Sequence, residues 1–227
     1  MHEESNTGFR PPVPLWLSVS FWICTAIAVA VVLRRLFAFV HPARSAPPQL
    51  AQLDAIFASH KALTLSHILP ALAFVVLTPL ALRQRSATFP WAERLLYPLG
   101  AVVGLTAYAM SADAIGGWTE RSAVLLFDTL SLLSLGIAYR DRQKGNTSAQ
   151  RKWLLRAVAI LLGIATTRPV MGVFFASSPL THLQPNQFFG IAFWIGFSIN
   201  TIVMEWWLRS VWRDRRFTGN SVMNINN

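Results

Sequence analysis

Six long apolar segments separated by short polar connections constrain this chain more than any other feature of its sequence. A helix needs about 20 mostly apolar residues to cross a bilayer, because each residue advances it by about 1.5 Å. The segments cover residues 13–36, 62–82, 95–112, 122–139, 153–176 and 187–208. They are apolar on all sides, whereas strands of a membrane barrel alternate apolar and polar residues. The sequence therefore predicts an all-α, polytopic transmembrane helical bundle of about six spans.

The composition points to the same lipid environment. Of the 227 residues, 53% are hydrophobic and only 13% are charged, against about 25% charged in average globular chains. The net charge of +10 comes from basic residues at the ends of apolar segments, as in membrane helices, and not from one polar face that contacts phosphates. The predicted partner is the bilayer and not nucleic acid. A membrane protein partner or a homo-oligomer stays open.

The distribution of Lys and Arg predicts the orientation. Fourteen of the 20 basic residues lie in the two tails and the second and fourth connections, and five lie on the opposite side. Because basic residues favour the cytoplasmic side, a multi-pass protein of the cytoplasmic (inner) membrane with both termini in the cytoplasm is expected. Arg34 and Arg35 count against this, and a five-span alternative would invert part of it. The helical bundle then covers residues 13–212, between cytoplasmic tails at 1–12 and 213–227. The second tail is expected to be irregular. Residues 50–59 have the helical spacing of a helix that lies along the membrane surface.

Several short matches carry a family resemblance between about residue 67 and residue 206. They are His67, Trp91, Arg94, Gly116–Gly117, Ala138–Tyr139–Arg140, the run AQRKWLLR at 149–156, Thr167–Arg168 and Glu205–Trp206. In these stretches the chain resembles a family of bacterial predicted membrane proteins, domain of unknown function 2306. The family commonly has histidines near the positions of Phe89 and Gln150, which this chain lacks. The resemblance implies a fold family and a topology, and it implies no activity.

Two ionisable residues fall inside predicted spans. Asp128 lies in the fourth span and Arg168 in the fifth, both roughly 9–12 Å below the outer surface by helix rise. A lone charge at that depth costs several kcal/mol, and a hydrogen-bonded pair costs much less. We therefore expect Asp128 and Arg168 to face each other, with a kink at Pro169 beside them. The pair is either part of a binding pocket or a structural ion pair that only holds two helices together.

Other polar residues are expected near the same depth. His67 near the start of the second span and Asp113 at the end of the third complete a candidate outer pocket with Asp128 and Arg168. A hydrogen bond between helices is the alternative for His67, and His60 and His182 are expected at the membrane surface. Near the cytoplasmic side, similar depths predict an ion pair between Arg156 and Glu205.

Three classes of function follow from these residues. The first is a scaffold or assembly factor without catalysis, and the second is transport or sensing of a small solute or a proton through the outer pocket. The alternative is b-type haem or quinone-linked electron transfer, with His67 and His182 as candidate haem ligands. No enzyme motif is recognised, so an enzymatic activity stays undecided. No metal site is expected, because Cys24 is the single cysteine and the acidic residues are scattered.

Overall fold

Helices make up nearly all of the described chain. The computed structural model describes residues 13–41, 48–82 and 90–223. Eight α-helices lie in these ranges: α1 Leu15–Val40, α2 Pro48–Ser59, α3 Lys61–Leu82, α4 Pro90–Met110, α5 Gly117–Gln143, α6 Thr147–Leu161, α7 Gly163–Thr181 and α8 Pro185–Met223. A 3-10 turn, Ser111–Asp113, follows α4. The all-α fold class is confirmed.

Six helical stretches are long and apolar enough to cross a membrane. They are α1, α3, α4 with its 3-10 turn, α5, α6 together with α7, and the first part of α8. The predicted number of spans is confirmed for the described residues. Each helical stretch overlaps one of the six apolar segments, and all but α1 extend beyond it into polar residues, because hydropathy does not mark where a helix ends in water.

The surface of the bundle is apolar where a bilayer would surround it. Leu105 is 64% exposed, Ile202 66% and Val173 69%. The interior is close-packed instead: Phe74 of α3 and Leu96 of α4 are buried with Leu135 of α5 and Leu154 of α6 in one cluster. An apolar exterior of this kind is stable in lipid and not in water.

Close helix approaches occur at glycines. A Cβ on Gly100 or Gly104 of α4 would lie 2.7 or 2.6 Å from a leucine of α5, so these small residues allow α4 to pack closely on α5. A Cβ on Gly190 of α8 would lie 2.6 Å from the backbone nitrogen of Glu120. The start of α5 is therefore held directly against α8.

The fifth span has a local irregularity at Leu162, between α6 and α7. The N–H of Leu162 still donates to the carbonyl of Val158 at 2.9 Å, and its own carbonyl accepts from the N–H of Ala165 at 2.9 Å, as in a 3-10 turn. Near this irregularity, Asn200 of α8 donates to the carbonyl of Ala159 at 3.2 Å. Pro169, where a kink was expected, lies inside α7, and the irregularity at Leu162 comes several residues earlier.

The chain enters and leaves the bundle at the same end. The rings of Trp16 in α1 and Trp206 in α8 lie 6.2 Å apart, as an even number of spans requires. The opposite end, where α2 lies, is called the α2 end below. Helix α8 continues to Met223, past the point where the asparagine-rich composition predicts an irregular tail. Residues 1–12 and 224–227 lie outside the described residues.

Candidate functional site

A cavity of about 250 Å³ extends from the α2 end toward the middle of the bundle. All eight helices contribute to its wall, which is mostly apolar. The four residues of the predicted pocket, His67, Asp113, Asp128 and Arg168, all line this cavity. Three further charged or titratable residues line it as well, namely Arg35, His60 and Glu120. The cavity brings together polar groups from α1, α3, α5 and α7.

The expected ion pair between Asp128 and Arg168 is not formed. No hydrogen bond or ion pair of the described residues involves Asp128, which is 8% exposed, and its Oδ2 is buried without a partner. Helix rise estimated the depth of both residues, but it does not specify the direction in which each helix turns its side chain. Asp128 and Arg168 therefore share a cavity without neutralising each other.

Arg168 lacks a close anionic partner in the described part of the chain. Its Nε is buried without a hydrogen bond, and its Nη1 reaches only the thioether of Met171 at 3.8 Å. The charged side chains that act on it at longer range are Arg35, Glu120 and Arg34. Two of these three repel the guanidinium. The backbone beside Arg168 is held in place, because a Cβ on Gly196 of α8 would lie 2.7 Å from the nitrogen of Thr167.

Glu120 is a cavity residue that the sequence did not single out. Its Oε2 accepts a hydrogen bond from the backbone N–H of Gly116 at 2.6 Å, and the residue is 9% exposed. Gly117 has φ 59°, a left-handed conformation that favours glycine. This turn folds the chain back over Glu120. The signal was an acidic residue three positions after the Gly116–Gly117 pair and two positions before the predicted span.

His67 forms a bond between helices. Its Nδ1 lies 2.9 Å from Oγ1 of Thr106 in α4. The Thr106 hydroxyl donates its own hydrogen to the carbonyl of Val102 or Val103, at 2.7 and 3.0 Å. The direction of the hydrogen bond between His67 Nδ1 and this hydroxyl depends on the tautomer of the imidazole. This contact is the interhelical hydrogen bond that was the alternative for His67, made by a residue that also lines the cavity.

The mouth of the cavity carries an exposed polar pair. His60 Nε2 lies 3.7 Å from Asp113 Oδ2, and their side chains are 52% and 54% exposed. His60 also contacts the hydroxyl of Ser59 through Nδ1 at 3.1 Å. Both residues lie at the α2 end, so the polar groups at the mouth are accessible while those deeper in the cavity are not.

Helix α2 covers the cavity at this end. Ile56 and Phe57 of α2 line the wall, and Asp54 accepts hydrogen bonds from Arg35 at 2.6 Å and from Arg34 at 3.0 Å. The guanidinium of Arg35 lies 3.9 Å from the centre of the Phe57 ring. The two arginines that counted against the predicted orientation thus attach α2 to α1.

The two candidate haem ligands are not brought together. His182 ends α7 in a left-handed conformation, φ 55°, and is exposed. It does not line the cavity on which His67 lies. This cavity therefore does not present His67 and His182 as two axial ligands of one iron. Sequence spacing placed both near the outer surface without showing that His182 lies at a separate helix end.

The opposite end of the bundle contains the second pair of interest. Arg156 donates to both carboxylate oxygens of Glu205, at 2.8 and 3.2 Å, in the arrangement expected from their depths. Gln150, at a position where the resemblance implies histidine, donates to Glu93 at 2.6 Å and to the hydroxyl of Tyr97 at 3.0 Å. Phe89, the other such position, lies outside the described residues.

A model of the predicted membrane protein family DUF2306 matches residues 59–208. The chain belongs to this family. The DUF2306 match includes His67, Glu120, Asp128 and Arg168. It excludes α1, and of α2 it includes only the last residue. The arginines and Asp54 that close the cavity therefore lie outside the matched region. No curated protein and no solved structure matches the chain.

Proposed function

We propose that the protein binds a small solute in this cavity. It either transports the solute across the cytoplasmic membrane or acts as a sensor for it. The observation that carries the proposal is the cavity itself. Its mostly apolar wall holds Asp128 and Arg168, and neither has a close ionic partner among the described residues. Ionisable groups inside a membrane are expensive and mark pathways for substrates or protons. More than nine in ten buried polar groups in proteins have a partner. Two buried polar atoms without a partner on one cavity, Oδ2 of Asp128 and Nε of Arg168, favour a binding role over a purely structural one.

The irregularity in the fifth span favours transport. In secondary transporters, discontinuous helices near the middle of the membrane form the substrate site. Here the irregularity at Leu162 separates α6 from α7, and Ile160 and Ile164 on its two sides both line the cavity. The backbone hydrogen bonds change here from the α-helical pattern to the 3-10 pattern, and a stretch of 3-10 helix inside a longer helix often marks a hinge. This supports a hinge beside the candidate site.

The orientation belongs to the same proposal. With both termini in the cytoplasm, the α2 end and the mouth at His60 and Asp113 face the outside. A solute would then enter from the outside and meet Arg168 below α2.

Thiol labelling tests whether a solute reaches the cavity. Cys24 is the only cysteine, so Cys24→Ser provides a background without thiols, into which Ala71→Cys is introduced on the cavity wall. The matched control on the same helix is Val76→Cys, which is 51% exposed on the outside of the bundle. The probe is a small charged methanethiosulfonate applied to the outer face of intact cells.

Ala71→Cys is expected to react about tenfold faster than Val76→Cys, since a charged reagent enters hydrocarbon only at a cost of several kcal/mol. Labelling from the cytoplasmic side of inverted vesicles as well would indicate transport, and labelling from the outside alone would indicate sensing. If Ala71→Cys is as unreactive as Val76→Cys from both sides, the cavity admits no solute and the proposal is wrong.

A further inference from the structure

We infer that the ligand of this cavity is a small monoanion with an apolar body, whose acidic group binds between Arg168 and Arg35. This inference rests on the proposed function and adds the chemical class of the solute. It follows from three properties of the cavity: the unmatched donor on Arg168, the local excess of positive charge, and the size and apolarity of the wall.

The first property is the unmatched donor. Arg168 has a planar guanidinium with five N–H groups, which suits carboxylate and phosphate groups. Its Nε is buried without a partner, and the thioether of Met171 at 3.8 Å is a weak acceptor. No backbone or side-chain oxygen of the described residues takes these hydrogens. An oxygen acid would satisfy them.

The second property is the charge balance around Arg168. The groups that act on it are Arg35, Arg34 and Glu120, and Asp54 pairs with the two α1 arginines. These five residues comprise three cations and two anions, which leaves one excess positive charge. One bound monoanion would neutralise the group. Asp128 also lines the cavity, but in the described part of the chain no ion pair or hydrogen bond joins it to these five residues.

The third property is the space available. An engineered apolar cavity of about 150 Å³ holds benzene, and this cavity measures about 250 Å³. It therefore has room for a ring or short chain and one acidic group. Because the wall is mostly apolar, it favours an acid with an apolar body over a small inorganic anion.

The inference is tested with three probes of similar size on the purified full-length protein in nanodiscs. Benzoate carries the acidic group, benzyl alcohol is neutral, and benzylammonium has the opposite charge. Affinities are measured by calorimetry. Benzoate is expected to bind at least about tenfold more tightly than benzyl alcohol, which corresponds to about 1.4 kcal/mol, and benzylammonium more weakly still.

Two variants separate the site from the fold. Arg168→Met is expected to abolish the preference for benzoate. Arg121→Met is the matched control. Arg121 is exposed near the start of α5, outside the cavity wall, and its guanidinium lies 5.4 Å from the centre of the Trp118 ring. This control is expected to keep the preference. The comparison among probes on the unaltered protein does not depend on whether either variant folds.

The outcomes distinguish the ligand class from the proposed function. If benzyl alcohol or benzylammonium binds as tightly as benzoate, a ligand site exists but the inferred class is wrong. If none of the probes binds and Ala71→Cys is also unreactive, the proposed function fails as well.

Discussion

Two arginines in the fifth span are stabilised in different ways. Arg156 donates two hydrogen bonds to Glu205, whereas the buried Nε of Arg168 has no partner in the described parts of the chain. A bidentate pair compensates a charge for leaving water, while a buried donor without an acceptor carries the full desolvation penalty. Arg156 therefore contributes to the fold, and Arg168 is maintained at the expense of stability.

This difference predicts opposite effects of the same substitution. Arg168→Met is expected to raise the free energy of unfolding by about 1 kcal/mol, because it replaces an unsatisfied charge by an apolar side chain of similar length. Arg156→Met is expected to lower it by about 1–3 kcal/mol, because Glu205 loses a charged partner. Thermal unfolding of the purified variants in one detergent measures both changes. A marked loss of stability in Arg168→Met would show that the fold already satisfies this arginine.

At the residue scale the sequence predicts depth better than direction. Helix rise placed Arg156 level with Glu205, and these two do meet. The same argument placed Asp128 level with Arg168, and these two do not form a pair. The rotation of each helix about its axis depends on packing contacts at glycines such as Gly196. A hydropathy profile contains no information about these contacts. Glu120 was missed because it lies just outside its predicted span.

At the element scale, the six spans were predictable and the irregularity in the fifth was not. Long apolar runs predict spans because lipid requires them. Average hydropathy does not change at Leu162, where α6 ends and α7 begins. Helix α2 was predicted from the spacing of its apolar residues. Its position above the cavity depends on the ion pairs of Asp54 with Arg34 and Arg35 of α1, and the spacing of residues within α2 does not predict these.

The attachment of α2 predicts how access to the cavity is controlled. Asp54→Asn removes the charge that holds Arg34 and Arg35, and pairs of this kind contribute up to about 1 kcal/mol. Labelling of Ala71→Cys from the α2 end is therefore expected to become about fivefold faster.

Arg209→Gln is the control for this change. It breaks another ion pair, with Glu205 at 3.0 Å, at the opposite end of the bundle, and the labelling rate should stay as it was. If Asp54→Asn leaves the rate unchanged, α2 does not limit entry.

At the scale of the whole molecule, the cavity is a property of the assembled bundle. Every helix contributes to its wall, so no single sequence motif announces it. The family match begins at residue 59, after the arginines of α1 and after Asp54. The unpaired Asp128 and Arg168 lie within the matched region, and the charged closure above them lies outside it. The family match therefore covers the cavity residues Asp128 and Arg168 but not the ion pairs that attach α2 above them.

The predicted orientation can be tested at the two ends of the bundle. The basic residues around the α5–α6 connection favour the cytoplasm, and Arg34 and Arg35, which oppose this assignment, are bound to Asp54. In the Cys24→Ser background, Lys144→Cys lies in the α5–α6 connection and Gln184→Cys between α7 and α8, both exposed. An impermeant maleimide is expected to label Gln184→Cys on intact cells and Lys144→Cys only after permeabilisation. The reverse pattern would turn the cavity toward the cytoplasm, and the solute would then have to come from inside the cell.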